Sequence, residues 1–119
     1  MPGPIVFFQI ASTDPERASE FFGALFDWQY SPGGLPGIGP SIDPQGPADF
    51  DPKGSFLQLP EGAPPFVSIF VRVSDLAATL EKAKSLGASV RVPVTRIPTG
   101  ADIAVIVAPE GHVVGIVQE

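Results

Sequence analysis

Ile5-Val6-Phe7-Phe8-Gln9-Ile10, followed by Ser12-Thr13-Asp14-Pro15-Glu16, is an apolar run of strand length that meets a helix-entry signal. The same order returns later as Phe66-Val67-Ser68-Ile69-Phe70-Val71-Arg72-Val73 and Ser74-Asp75-Leu76. A shift of 61 residues superposes Asp14 on Asp75, Glu20 on Glu81 and Leu25 on Leu86, so both helices begin and run at matched positions. A period this long, present only twice, points to a duplicated half-domain rather than a solenoid.

From Asp14 to Phe26, the residues Ala18, Phe21, Phe22, Leu25 and Phe26 recur at the spacing of a helix with one buried face. Thr13 with Glu16 fits a capping box, and Pro15 suits a first helical turn. A second helix is predicted from about Asp75 to Leu86. Its buried set is Leu76, Leu80, Ala83 and Leu86, and Gly87 ends it in a left-handed conformation. The second half then reads as strands at Ala88 to Val92, Ile103 to Val107 and Val113 to Val117, with Pro109-Glu110-Gly111-His112 as a hairpin turn. Residues 31 to 65 contain sixteen Gly or Pro, so the strands expected near Trp28-Gln29-Tyr30, Gly37 to Ile42 and Ser55 to Leu59 must be short or irregular. A mobile loop is expected from Asp43 to Lys53, overhanging a pocket. Each half is thus a strand, a helix and three strands. Module one spans about residues 4–60, the linker 61–65 and module two about 66–119, within a single domain of 1–119.

Composition removes several function classes. With 44% hydrophobic residues the 119-residue chain reads as globular. No apolar run is long enough to cross a bilayer and no signal-type start is seen, so a soluble cytoplasmic protein with no membrane partner is expected. Seven Lys and Arg against thirteen Asp and Glu give a net charge of −6, which disfavours nucleic acid. The absence of cysteine excludes disulfides, thiolate metal sites and cysteine nucleophiles. No phosphate loop or serine nucleophile elbow occurs. The paired acids Asp14/Glu16 and Asp49/Asp51 read as helix-start and loop solvation. His112, the only histidine, has no second donor beside it in sequence and reads as a turn residue.

Two stretches carry a family resemblance. One runs from Phe7-Phe8-Gln9-Ile10 through Asp14-Pro15-Glu16-Arg17-Ala18 to Phe21-Phe22 and Phe26-Asp27-Trp28, and the other is Pro109-Glu110-Gly111-His112-Val113-Val114. Together they are similar to the start and the final hairpin of the vicinal oxygen chelate superfamily, which includes glyoxalase I, extradiol dioxygenases and bleomycin-resistance proteins. The resemblance implies an α+β fold of two βαβββ modules in tandem, forming one glyoxalase-like domain with a shared concave sheet. It also implies a homodimer. Asp27 stands where the family commonly has glycine, and Ala108 where it commonly has aspartate.

In metal-dependent members a His or Gln precedes the helix-entry Asp by seven residues, which here is Phe7. The counterpart in the second half is Ser68, and the Glu expected four residues after the turn glycine is Gly115. The fourth ligand is matched at best by Gln58. Phenylalanine and glycine side chains offer no lone pair, and a neutral serine hydroxyl is a poor ligand alone, so neither a metal nor another cofactor is expected.

Side chains two apart on a strand share a face. Phe7 therefore goes with Gln9 and Ala11, Ser68 with Phe70 and Arg72, and Gly115 with Val113 and Val117. If they line a cleft between the modules, it is apolar and aromatic-walled, with Gln9 and Arg72 as polar handles for a small anionic or carbonyl compound. The competing reading has Phe7 and Phe70 filling a closed core with Arg72 at its rim. The functional expectation is metal-free binding of a small hydrophobic or aromatic molecule through Phe7, Gln9, Ser68, Phe70, Arg72, Gly115 and Val117, for sequestration in the manner of bleomycin-resistance proteins. The alternatives are a glyoxalase-like lyase or isomerase with an atypical or absent metal site and a dimeric interaction module without a ligand.

Overall fold

A computed structural model of the chain describes residues 3–31, 38–43, 53–97 and 100–119. Its elements are β1 (Ile5–Ser12), α1 (Pro15–Phe26), β2 (Tyr30–Ser31), β3 (Ile38–Ile42), β4 (Lys53–Gln58), β5 (Phe66–Val73), α2 (Leu76–Ser85), β6 (Ser89–Arg96), β7 (Asp102–Val107) and β8 (Val113–Gln118). The order strand, helix and three strands occurs twice, so the fold is α+β with two tandem βαβββ modules. The expected loop from Asp43 to Lys53 lies almost wholly outside the described residues, as do Asp49, Phe50 and Asp51. No helix among the described residues is long and apolar enough to cross a membrane.

The chain packs as two units, Phe7–Val67 and Ser68–Glu119, the latter joined by Met1–Val6. In the first, the strand order is β2-β3-β4-β1, with β1 parallel to β4 and the other pairs antiparallel. In the second, the order is β5-β8-β7-β6, with β5 parallel to β8 and the rest antiparallel. Each unit has its own apolar cluster under its helix. Ile10, Ile42 and Phe56 gather Phe8, Ala18, Phe22, Trp28 and Tyr30, while Leu76, Leu80, Ala104 and Ile116 gather Val73, Val90 and Ile106.

The repeated aspartates start the helices. Asp14 accepts from the Arg17 backbone N–H at 3.1 Å, and Asp75 accepts from that of Ala78 at 3.0 Å, each satisfying a helix-start donor that has no intrahelical partner. The cap of α1 is therefore Asp14, one residue after the Thr13 expected from the capping-box pattern. Gly87 has φ of 98° and follows α2, as its position predicts. After α1 the left-handed turn falls on Asp27, with φ of 60°, which is why glycine is the ordinary residue there.

The buried stripe of α1 differs from the one its apolar spacing predicts. Pro15 and Ser19 are buried and Ala18 and Phe22 half-buried, whereas Phe21 and Leu25 are 60% exposed and Phe26 is 53% exposed. Ser19 can sit inside because its hydroxyl donates to the Glu16 carbonyl at 2.7 Å, and the Tyr30 hydroxyl donates to the Ser19 carbonyl at 2.8 Å. Burial also raises the Tyr30 pKa. In α2, Leu76 and Leu80 are buried as predicted, but Leu86 lies past the last turn and is 69% exposed.

A second duplication emerges at the closing strands, at a spacing one residue shorter than that of the helices. Gln58 donates through Nε2 to the Thr13 carbonyl at 2.7 Å, and Gln118 donates likewise to the Ser74 carbonyl at 2.7 Å. Gln118 also accepts from the Leu76 N–H at 2.8 Å through Oε1, so one amide fastens β8 to the start of α2. Gln118→Ala should destabilise the protein by about 1–3 kcal/mol, because a helix-start donor loses its partner. Chemical denaturation of the variant checks this through a lower midpoint at unchanged m.

Candidate functional site

The register separates the two faces of each sheet. In the first unit Phe8, Ile10 and Ile42 lie on the α1 side with Phe56. The strand period of two therefore puts Phe7, Gln9 and Ala11 on the helix-free side, opposite Lys53, Ser55 and Leu57 of β4. In the second unit Ala104 and Ile116 lie under α2. The helix-free side thus carries Ser68, Phe70 and Arg72 of β5, Gly115 and Val117 of β8, and Ile103 and Val105 of β7. Within each module, the residues expected to share a face do share one.

Their exposure differs. Ala11, Ser68, Phe70 and Gly115 are buried, Phe7, Gln9 and Val117 are half-buried, and Arg72 is exposed. The Phe70 ring lies flat on Gly115: a Cβ built on the glycine would stand 2.3 Å from Phe70 Cδ2. Phe70 is therefore packing, a floor rather than an open wall, and the accessible groups of this face are Arg72 with the half-buried Val117, Ile103 and Val105.

Register also corrects the fourth metal-ligand position. Gln9 pairs with Ser55 as Phe70 pairs with Gly115, so the β4 counterpart of Gly115 is Ser55. Gln58 pairs with Ser12 and spends its amide on the Thr13 and Leu59 carbonyls. The Gly/Pro-rich sequence around β4 hides this register, and only the paired strands reveal it. The four positions are then Phe7, Ser55, Ser68 and Gly115, and they do not fit a divalent cation. Phe7 has no donor atom, Gly115 has none and is covered by Phe70, and two neutral hydroxyls fall short of the coordination such ions take. Among the described residues no three His, Cys, Asp or Glu side chains stand close enough to share an ion.

Two ion pairs stand among the described residues. Arg96 pairs with Asp102 at the β6–β7 hairpin end, and its hydrogen bond holds the Asp102 carboxyl below the usual carboxylate range. Lys84 pairs with Glu81 along α2. Arg72 uses its backbone N–H on the Pro4 carbonyl at 3.0 Å, and its guanidinium has no hydrogen-bond or ion-pair partner among the described residues. His112 is exposed in the turn before β8. Trp28 packs at the exit of α1, stacked on Phe22 with ring centres 5.8 Å apart. An open depression lined by Thr13, Asp14, Pro15, Glu16, Gly39, Pro40 and Gln58 lies at the start of α1, where Asp14 and Gln58 are already engaged as cap and fastener.

This duplicated strand–helix–strand architecture defines a glyoxalase-like protein. The chain belongs to the glyoxalase-like domain family, whose model matches residues 6–117. It is 28% identical over 114 residues to "Putative glyoxylase CFP32" of Mycobacterium tuberculosis, a match covering 92% of this chain and 43% of the relative. The chain thus spans less than half the length of the curated relatives it matches. Among solved structures, a variant of Streptomyces coelicolor methylmalonyl-CoA epimerase in complex with 2-nitronate-propionyl-CoA is similar in fold, with a TM-score of 0.70, 16% identity and coverage of 100% of this chain and 99% of that one. Methylmalonyl-CoA epimerase from M. tuberculosis gives a TM-score of 0.66 at 20% identity, covering 96% and 86% of the two chains. A hypothetical protein from Bacillus halodurans, BH1468, gives 0.70 at 15% identity, covering 98% and 94%.

Proposed function

We propose that this protein binds and sequesters a small, mainly apolar carboxylate or carbonyl compound without a divalent metal, using the helix-free face of its second module. The observation that carries this reading is the uncommitted Arg72 guanidinium at the end of an apolar row. Arg72 pairs with Val117, Val117 with Ile103 and Ile103 with Thr95, so a cation is followed across the strands by two apolar side chains and a hydroxyl. At about 4.8 Å between strands the row is roughly 14 Å long, enough for an aromatic or short aliphatic body with an anionic head. Burial of the body against Val117 and Ile103 supplies affinity, and the guanidinium fixes the head. Phe70 and Gly115 form the rigid floor beneath. We take the protein to be a single domain that works as a homodimer.

Calorimetric titration with aromatic and short aliphatic carboxylates and 2-oxo acids tests the reading. Arg72→Ala should weaken an anionic ligand by about 10- to 100-fold, the cost of a lost hydrogen bond to a charged group, with stability nearly unchanged. Equal affinity in the variant removes Arg72 from the site. Stoichiometric Zn, Ni, Mn or Fe in the purified protein overturns the metal-free assignment.

A second reading, a lyase or isomerase of glyoxalase type, is favoured by the match along 92% of the chain to a relative named as a glyoxylase. Arg72 would then stabilise an enediolate-like charge. Turnover of a 2-oxo compound by metal-free protein, abolished by Arg72→Ala, would select it over sequestration.

A further inference from the structure

We propose that the first module carries a separate recognition row, Gln9, Ser55, Ser41 and Ser31, that binds the hydroxyl groups of a neutral polyhydroxylated molecule, a sugar or a polyol. These residues stand opposite one another on four successive strands. Gln9 of β1 pairs with Ser55 of β4, Ser55 with Ser41 of β3, and Ser41 with Ser31 of β2. All four lie on the helix-free face, since Ile10, Ile42 and Phe56 occupy the other.

The fold does not require this polarity. The equivalent row of the second module reads Phe70, Gly115, Val105 and Val92, paired in the same order and apolar throughout. A duplicated scaffold that holds only apolar residues at four positions in one copy holds only neutral hydrogen-bonding residues in the other.

Internal bonding leaves the row unsaturated at Gln9, Ser41 and Ser31, while Ser55, 4% exposed, is the buried support that Gln9 reaches. Gln9 Nε2 reaches Ser55 Oγ at 3.5 Å, the long limit of a hydrogen bond, and Ser31 Oγ donates to Asp43 Oδ1 at 2.7 Å. Ser41, between them, makes no side-chain hydrogen bond among the described residues and is half-buried. No enclosed side-chain polar atom among the described residues lacks a partner, so solvent reaches the Ser41 hydroxyl. Ser31, whose hydroxyl hydrogen is directed at Asp43, presents its oxygen as an acceptor, whereas Ser41 can donate or accept.

The complement of such a row is a set of groups that both donate and accept and carry no charge. An anion finds no cation within it, and an apolar body would strip water from hydroxyls without replacing their bonds. Hydroxyl groups of a sugar or polyol meet the requirement. The row goes beyond the carboxylate site proposed above, which lies on the other module, and does not rest on that reading.

Thermal stabilisation cannot test this, because sugars and polyols raise melting temperatures by exclusion from protein surfaces. The test is a 15N NMR titration of the full chain with glucose, maltose and sorbitol. Saturable shifts at the amides of Ser31, Ser41 and Ser55 are expected with at least one of them. Ser41→Val should weaken that binding by about 5- to 10-fold or more, the loss of one neutral hydrogen bond with its partner left unpaired. Valine fits this site in the fold, as Val105 stands at the equivalent position. Ser41→Ala gives the same readout should the valine variant fold poorly. Absence of saturable shifts with all three probes, or unchanged affinity in the folded variant, overturns the proposal. Arg72→Ala should leave this titration unaltered, so failure of the carboxylate reading and failure of this one are distinguishable.

Discussion

Gly115→Ala is expected to destabilise the protein by about 1–3 kcal/mol, because a single added methyl overfills a packed contact. The new Cβ would stand 2.3 Å from both Cδ2 and Cε2 of Phe70, so the ring must leave its seat. The backbone at Gly115 does not require glycine: its φ is not positive, and the residue lies within β8 paired to both neighbours. The cost is therefore steric and should be recovered by shrinking the ring. In a double-mutant cycle, Gly115→Ala with Phe70→Leu should be less damaging than the sum of the two singles, with a coupling of about 0.5–3 kcal/mol. Urea midpoints of the four proteins measure it. A neutral Gly115→Ala would mean that Phe70 is not held over the glycine, and the rigid floor assigned to the second module would go with it. Gly115→Glu, the change that restores the carboxylate of metal-dependent relatives, meets the same ring and should destabilise rather than create a metal site.

Phe56→Ala should be the more damaging of the two, at about 3–5 kcal/mol, the usual cost of removing a buried phenylalanine. Phe56 is 0% exposed and lies where the first module's aromatic residues converge. The Tyr30 ring meets it edge-on with centres 5.6 Å apart, and Phe22 approaches to 6.4 Å. Gly39 closes the other side, since a Cβ there would stand 2.9 Å from the Phe56 Cβ. With the ring gone, neither the short β2 strand nor the bulged β3 can shift far enough to fill the space, because Tyr30 is held through its hydroxyl to Ser19. Far-UV circular dichroism during thermal melting reads the loss. A drop of less than about 1 kcal/mol would show that this cluster is not the module's core.

The two variants probe features of different legibility. The first module's core was partly readable, since Phe22 and Ile42 recur at helix and strand spacing, but Ser19 and Pro15 were not recognisable as its buried members. Their burial depends on a hydroxyl bonded within its own helix and on a neighbouring strand lying close by, neither of which apolar periodicity records. Phe21, Leu25 and Leu86 fail in the opposite sense: their spacing fits a buried stripe, but the helix turns them outward.

The candidate site divides the same way. Alternation along β1 and β5 suffices to place Phe7 with Gln9, and Ser68 with Phe70 and Arg72, because side-chain direction along a strand is a local property. Which residues stand opposite them is not local. The register of β4 moved the fourth position from Gln58 to Ser55, and the register of β2 and β3 aligned Ser31 and Ser41 with Gln9.

By itself, then, the sequence determined the α+β class, the duplication, the two helix starts at Asp14 and Asp75, the stop at Gly87 and the absence of side-chain donors at Phe7 and Gly115. Each of these depends on residue chemistry, or on contacts within a few positions along the chain. Tertiary structure alone decided that Phe70 caps Gly115, that Gln58 and Gln118 fasten strand to helix, and that one module's row is polar where its copy is apolar. Those facts rest on pairings between residues tens of positions apart, whose register is set by bulges and by packing of each sheet against its helix.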